Sequence, residues 1–293
     1  MKPKGTIIAI GGNEKKEFKG IDEKYQADFG EGSILQNIIN HGGGVQSRIE
    51  VITSASEIPI EVGETYTKTF GKLGAQNVGI LDIRDREGAE SPKTLKRIQE
   101  ADVVMFSGGD QSRISRFIKD TKAHALIWKR YRNDAFVLAG TSAGAMVMSD
   151  EMITGGNNSN TLRKNEVKMG KGLGFMGGII FDSHFIRRGR FGRVAEAVAR
   201  HPDKLGIGLG EDTGLIITEG NICKIIGSGM LILFDGSNLS HNRYESLKDN
   251  VCISLANLTV NILATQDTYY LSERRAEICY TPENHKKEVS KLQ

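Results

Sequence analysis

The hexapeptide Gly140-Thr141-Ser142-Ala143-Gly144-Ala145 carries the sharpest chemical signal in the chain. It follows the apolar run AFVLA and precedes helix-compatible MVM, so a Gly-x-Ser-x-Gly turn joins a strand to a helix, the form of a nucleophile elbow. Small residues let strand and helix crowd together, which strains the backbone at Ser142 and exposes its hydroxyl at a helix N-terminus, where N–H groups and the dipole favour developing negative charge. A serine hydroxyl attacks well only when a base takes its proton. Of six histidines, His184 in IIFDSHF is best placed, at the carboxyl end of an expected strand. His41 and His201 read as helix ends, His124 as a helix surface, His241 and His285 as polar loops. The base needs an acid to fix its tautomer. Glu211, in GLGEDTG between two apolar strands, is the first choice and Asp212 the second.

Two further loops build a pocket around these groups. Ser107-Gly108-Gly109-Asp110-Gln111 follows the strand VVMF, so the N–H groups of Gly109 and Asp110 could join that of Ala143 as an oxyanion hole. The run RRGRFGR at 187–193 comes directly after His184. If a helix begins near Arg190, then Arg190 and Arg193 share one face by i,i+3 spacing and could grip carboxylates in bidentate fashion.

The elements that must carry these groups are short apolar runs at 6–10, 49–53, 78–81, 103–106 and 136–139, alternating with helix-like stretches at 34–41, 62–73, 91–101, 112–122 and 143–149. Such alternation implies right-handed crossovers and a parallel sheet whose ligands sit beyond the carboxyl ends of the strands. After about residue 172 Gly-rich strands follow, expected as an antiparallel extension of the same sheet. Residues 155–165 read as a mobile loop and 285–293 as a solvated tail, with 1–293 expected as one α/β domain.

Composition narrows the function classes. Glycine reaches 35 of 293 residues with only 5 Pro, which points to tight strand–helix junctions rather than linkers. A formal charge of +3, from 39 Lys+Arg against 36 Asp+Glu, is too small for a nucleic-acid or anionic-membrane surface. The N-terminal apolar stretch is short for a signal peptide and no run reaches the roughly 18 apolar residues of a membrane helix, so a soluble cytoplasmic protein is expected. Cys223, Cys252 and Cys279 form no CxxC and read as inert core thiols in a reducing compartment. There is no HExxH, no Cys/His cluster, no third glycine of a dinucleotide loop after Gly11-Gly12 and no phosphate loop, so neither a metal nor a nucleotide cofactor is implied.

Four blocks then carry a family likeness: Gly-Gly-Asp-Gln at 108–111, Gly-Thr-Ser-Ala-Gly-Ala at 140–145, Asp-x-His-Phe at 182–185 running into Arg-Gly-Arg-x-Gly-Arg at 188–193, and Glu-Asp-Thr at 211–213. In that order, over about 5–235, the chain resembles the cyanophycinases, serine peptidases grouped with dipeptidase E. The resemblance implies a fold like that of class I glutamine amidotransferases, a homodimer, and hydrolysis of cyanophycin, a poly-aspartate with arginine on each β-carboxyl, to β-aspartyl-arginine. It implies Ser142 as nucleophile, His184 as base, Glu211 as orienting acid, and Gln111, Asp182, Ser183, Arg188, Arg190 and Arg193 as the substrate pocket. Asp182 would take the substrate guanidinium and the arginines its α-carboxylate. Ser183 stands where the family carries Gln, a shorter side chain with less reach.

Other readings compete. A dipeptidase E-like aspartyl peptidase is the first alternative. An α/β-hydrolase esterase is suggested by His41-Gly42-Gly43-Gly44, which mimics a lipase oxyanion motif, but that fold wants its histidine after the acid, where only His241 and His285 remain. The HisGlyGlyGly reads instead as a helix end running into the next strand. A non-catalytic peptide-binding relative is the third alternative.

Overall fold

In the first strand, Ile7 and Ala9 point into one apolar layer and Ile8 and Ile10 into another, the period-two signature of a strand buried on both faces. Ile7 and Ile8 are wholly buried, each worth about 2 kcal/mol of transfer free energy. The computed structural model describes residues 2–13, 33–156 and 162–279. Part of the expected mobile loop and all of the expected tail lie outside them.

The first half runs β1 (Thr6–Ile10), α1 (Ile34–His41), β2 (Arg48–Ile52), α2 (Pro59–Lys72), β3 (Asn77–Leu81), α3 (Arg86–Glu90), α4 (Pro92–Glu100), β4 (Val103–Phe106), α5 (Gln111–Ile118), α6 (Lys122–Asn133), β5 (Val137–Thr141) and α7 (Ala143–Met146). Helix starts are set by side-chain caps: Ser33 Oγ accepts the Gln36 N–H, Ser91 Oγ that of Thr94, and Asp110 Oδ1 that of Ser112. Gly42 ends α1, as the reading of His41-Gly42-Gly43-Gly44 expected. The second half runs β6 (Glu151–Gly155), β7 (Lys168–Lys171), β8 (Ile179–Asp182), α8 (Phe191–Arg200), β9 (Leu205–Leu209), β10 (Thr213–Thr218), β11 (Ile222–Gly227), β12 (Met230–Asp235), β13 (His241–Asn242), β14 (Leu255–Ala256), β15 (Thr259–Ala264), β16 (Thr268–Tyr270) and β17 (Arg275–Glu277).

Nine strands form the main sheet in the order β17-β16-β11-β10-β1-β5-β4-β2-β3. From β1 to β3 it is parallel, and β10, β11, β16 and β17 extend it antiparallel, as expected. The sheet differs from the expectation in one respect. The runs at β8, β9 and β12 do not join this sheet but, with β15, make a second of order β15-β12-β9-β8. The chain passes from one sheet to the other at Glu211-Asp212, where Asp212 takes φ +49°, a sharp turn that ends β9 before β10 begins. Helix α6, which the sequence reading touched only through His124, buries Ala123, Ile127 and Tyr131.

Two expectations are corrected by burial. His124 is no helix surface: it is buried, accepts the Asp120 N–H at Nδ1 and lies 2.8 Å from the Leu173 carbonyl through Nε2, and burial holds it below the usual imidazole value. Only Cys223 is a core thiol, pushed up to about 12 by burial, whereas Cys252 and Cys279 are exposed because they lie in irregular segments outside the main strands.

Candidate active site

Three strand ends from two sheets converge. Ser142 follows β5 at φ +51° and ψ −112°, a conformation that a non-glycine residue holds only when its surroundings enforce it. Enforcement comes from the Ser142 N–H on the Ile10 carbonyl at 2.8 Å and from tight packing of the turn. A Cβ on Gly140 would stand 2.3 Å from the Gly144 oxygen, and one on Gly144 2.2 Å from the Phe106 oxygen, so only glycine fits at either position.

His184 follows β8, also with positive φ, and donates its N–H to the Gly11 carbonyl at 2.9 Å. Its Nε2 lies 3.1 Å from Ser142 Oγ and its Nδ1 2.8 Å from Glu211 Oε1. With the carboxylate accepting from Nδ1–H, Nε2 is left as the acceptor for the serine proton. Burial pushes the Glu211 carboxyl up, but hydrogen bonds from His184, Asn13 and Arg187 outweigh it and hold the group below the ordinary carboxylate range. Arg187 Nη1 reaches Glu211 Oε2 at 3.2 Å. Asp212 does not replace Glu211: its carboxylate takes the Ser228 hydroxyl.

The oxyanion donors divide. The Asp110 N–H is engaged with the Ala55 carbonyl at 3.0 Å, and its carboxylate caps α5, so Asp110 has no donor to give an oxyanion. Gly109 N–H has no partner among the described residues, and the Ala143 N–H stands at the first position of α7, where a helix supplies none.

The arginine-rich loop is the largest correction. Helix α8 starts at Phe191, so Arg190 and Arg193 do share a face, and they do grip a carboxylate, but it is the chain's own Asp182. Arg193 binds it through Nε and Nη2 at 3.0 and 2.9 Å, Arg190 through Nη1 at 3.0 Å, and the Ser183 N–H adds a fourth donor at 3.0 Å. Asp182 is wholly buried and takes four donors from its own chain, so the carboxylate expected to receive a substrate guanidinium is met here by Arg190 and Arg193, the latter through Nε and Nη2. Arg190 Nη1 also takes the Ser183 carbonyl at 2.6 Å. Ser183 itself is 1% exposed and its Oγ lies 3.3 Å from Ser142 Oγ, facing the nucleophile rather than a pocket. Arg188 remains exposed beside the site, and Gln111 is fixed by Nε2 on the Ile153 carbonyl at 2.7 Å.

Sequence reasoning missed Gly12, Asn13 and Arg187. A Cβ on Gly12 would lie 2.5 Å from His184 Cε1, so the ring of the base rests against this glycine. The signal was the Gly11-Gly12 pair at the end of β1, meaningful once β1 is seen beside β5. Among the described residues no cluster of His, Cys, Asp and Glu could hold a metal ion, and no helix is long and apolar enough to cross a membrane.

A cyanophycinase of Trichormus variabilis is 35% identical over 271 residues, covering 92% of this chain and 87% of that one. A cyanophycinase of Geminocystis herdmanii is 32% identical over 266 residues, covering 91% of this chain and 93% of its own. The crystal structure of a peptidase from an acI-B1 Actinobacterium has the same fold, with a TM-score of 0.62 and 18% identity over 90% of this chain and 98% of that one. The family model described as Peptidase family S51 matches residues 26–225, and the chain therefore belongs to that family of peptidases.

Proposed function

We propose that this peptidase hydrolyses cyanophycin to β-aspartyl-arginine with Ser142 as nucleophile, His184 as base and Glu211 as orienting acid. The observation that carries the reading is the unbroken hydrogen-bond path from Ser142 Oγ through the His184 ring to Glu211, in a chain 32–35% identical to cyanophycinases over more than nine-tenths of its length. His184 Nε2 takes the Ser142 proton as Oγ attacks an aspartyl backbone carbonyl, while the N–H groups of Gly109 and Ala143 receive the oxyanion. The imidazolium then protonates the leaving amine. Water, deprotonated by the same ring, releases the acyl group and returns Ser142. In this reading Gln111 and Arg188 line the substrate pocket, and the exposed Arg188 guanidinium meets the α-carboxylate of the substrate arginine. The family resemblance adds that the enzyme works as a homodimer, and the sequence pattern adds a single hydrolase domain acting in the cytoplasm.

The test is incubation of wild type and Ser142→Ala with insoluble cyanophycin, with soluble products identified by mass. Release of β-aspartyl-arginine by the wild type, reduced by several orders of magnitude in the variant, is expected. Turnover by Ser142→Ala near that of the wild type refutes the nucleophile. Intact polymer beside phosphonate labelling of Ser142 refutes the substrate.

A further inference from the structure

We propose that Ser183 donates its hydroxyl proton to Ser142 Oγ and so serves as a second activating contact on the nucleophile, a role that rests on the function proposed above. Four side-chain atoms meet at this point. Ser183 Oγ lies 3.3 Å from Ser142 Oγ and 3.3 Å from Met146 Sδ, and Ser142 Oγ lies 3.1 Å from His184 Nε2.

Counting protons assigns the direction. His184 Nδ1 faces the Glu211 carboxylate, so Nε2 is an acceptor and Ser142 commits its only hydroxyl proton there. Between the two serines only Ser183 has a proton left to give. Its alternatives are Ser142 Oγ and a thioether sulfur, a weak acceptor, and with 1% of the residue exposed there is no solvent partner to compete. The backbone of Ser183 is held on both sides, its N–H by Asp182 and its carbonyl by Arg190 Nη1. The buried Asp182–Arg190–Arg193 cluster thereby fixes where this hydroxyl stands.

The contact gains strength at the moments that matter. As the Ser142 proton moves to His184 and the bond from Oγ to the carbonyl carbon forms, Oγ carries partial negative charge, and a donor to a charged oxygen binds about twice as strongly as one to a neutral oxygen. In the acyl-enzyme Oγ is an ester oxygen and a poor acceptor, leaving Met146 Sδ as the alternative for the Ser183 proton. When water has attacked, Oγ departs from the carbonyl carbon, takes a proton back from His184, and again meets the Ser183 hydroxyl. The Ser183 proton stays on its own oxygen throughout and is never transferred.

The experiment compares wild type, Ser183→Ala and Ser183→Thr by the second-order rate of fluorophosphonate labelling at Ser142, and by kcat and KM on cyanophycin. The Ala variant removes only a buried hydroxyl. It should label about tenfold more slowly and lose about tenfold in kcat with KM held, the worth of one hydrogen bond. The Thr variant, which restores a hydroxyl, should recover most of that loss. Ala labelling at the wild-type rate overturns the proposal, as does a folded Thr variant no faster than Ala, which makes the effect one of packing. A rise in KM with kcat held also overturns it, since Ser183 would then touch substrate. Labelling does not use cyanophycin, so it decides the role of Ser183 whichever substrate the enzyme takes. A wild type that the phosphonate leaves unlabelled removes the nucleophile and this role together.

Discussion

Replacing Asp182 with Asn asks whether this carboxylate serves the chain's own arginines or a ligand. Its oxygens accept four donors from Ser183, Arg190 and Arg193, and none of its surface meets solvent. The amide keeps the shape, removes the charge and turns a donor towards a guanidinium. Two arginine side chains, 10% and 6% exposed, then lose their shared counter-charge. Removing one member of a buried ion cluster costs about 3–5 kcal/mol. For a chain of this length that lowers Tm by roughly 5–8 °C. Because Arg190 also anchors the Ser183 carbonyl beside His184, the base should shift, with kcat down about 100-fold and KM little changed. Thermal unfolding by circular dichroism and steady-state kinetics read the two effects separately. A Tm within about 1 °C of wild type, with kcat unchanged and KM raised, would refute the argument and return Asp182 to the substrate pocket.

Two further outcomes follow from the same geometry. Gly12→Ala should cost at least about 100-fold in activity, because the new methyl collides with the His184 ring at a position with φ +100°; activity near wild type in a folded variant refutes the contact. Glu211→Gln should lower kcat by about 10²–10⁴ and also change the pH dependence of stability. With its folded value below the ordinary 4.5, Glu211 contributes stability in full above 4.5 and loses it as pH falls through the folded value. Urea unfolding from roughly pH 6 to pH 3 should show the wild-type and Gln curves converging towards acid; parallel curves refute the shift.

Much of the site was legible because its signals are local. The elbow lies within six consecutive residues, and the order of Ser142, His184 and Glu211 follows the order of β5, β8 and β9. Strands β1 and β4 and helix α1 match their apolar patterns residue for residue. What was not legible depends on which partner a group meets. The spacing of Arg190 and Arg193 announced a gripped carboxylate, yet nothing in spacing distinguishes a ligand's carboxylate from one eight and eleven residues upstream in the same chain. Gly12 meets His184 across 172 residues, a contact that exists only once β1 and β8 are brought together. The helix expected at 112–122 runs across a break that the pattern does not reveal, since Asp120 at φ +57° and the Thr121 cap end α5 and start α6 at Lys122.

The proposed nucleophile Ser142 belongs to the nine-stranded sheet, while the proposed base His184 follows the edge strand β8 of the other and Glu211 sits where the chain leaves that sheet. The end of β1 ties them: its Gly11 carbonyl takes the His184 N–H, its Ile10 carbonyl the Ser142 N–H, and the Gly12 carbonyl the Asp212 N–H. Catalytic competence is therefore a property of docking rather than of either layer. During synthesis the nucleophile emerges well before its base, so the growing chain is a hydrolase in waiting, unable to cut anything until β8 and β9 have settled against β1. In the proposed site turnover accordingly reports whether the two sheets are docked, and a slight parting of them at the end of β1 should silence it while each sheet still keeps its own ladder.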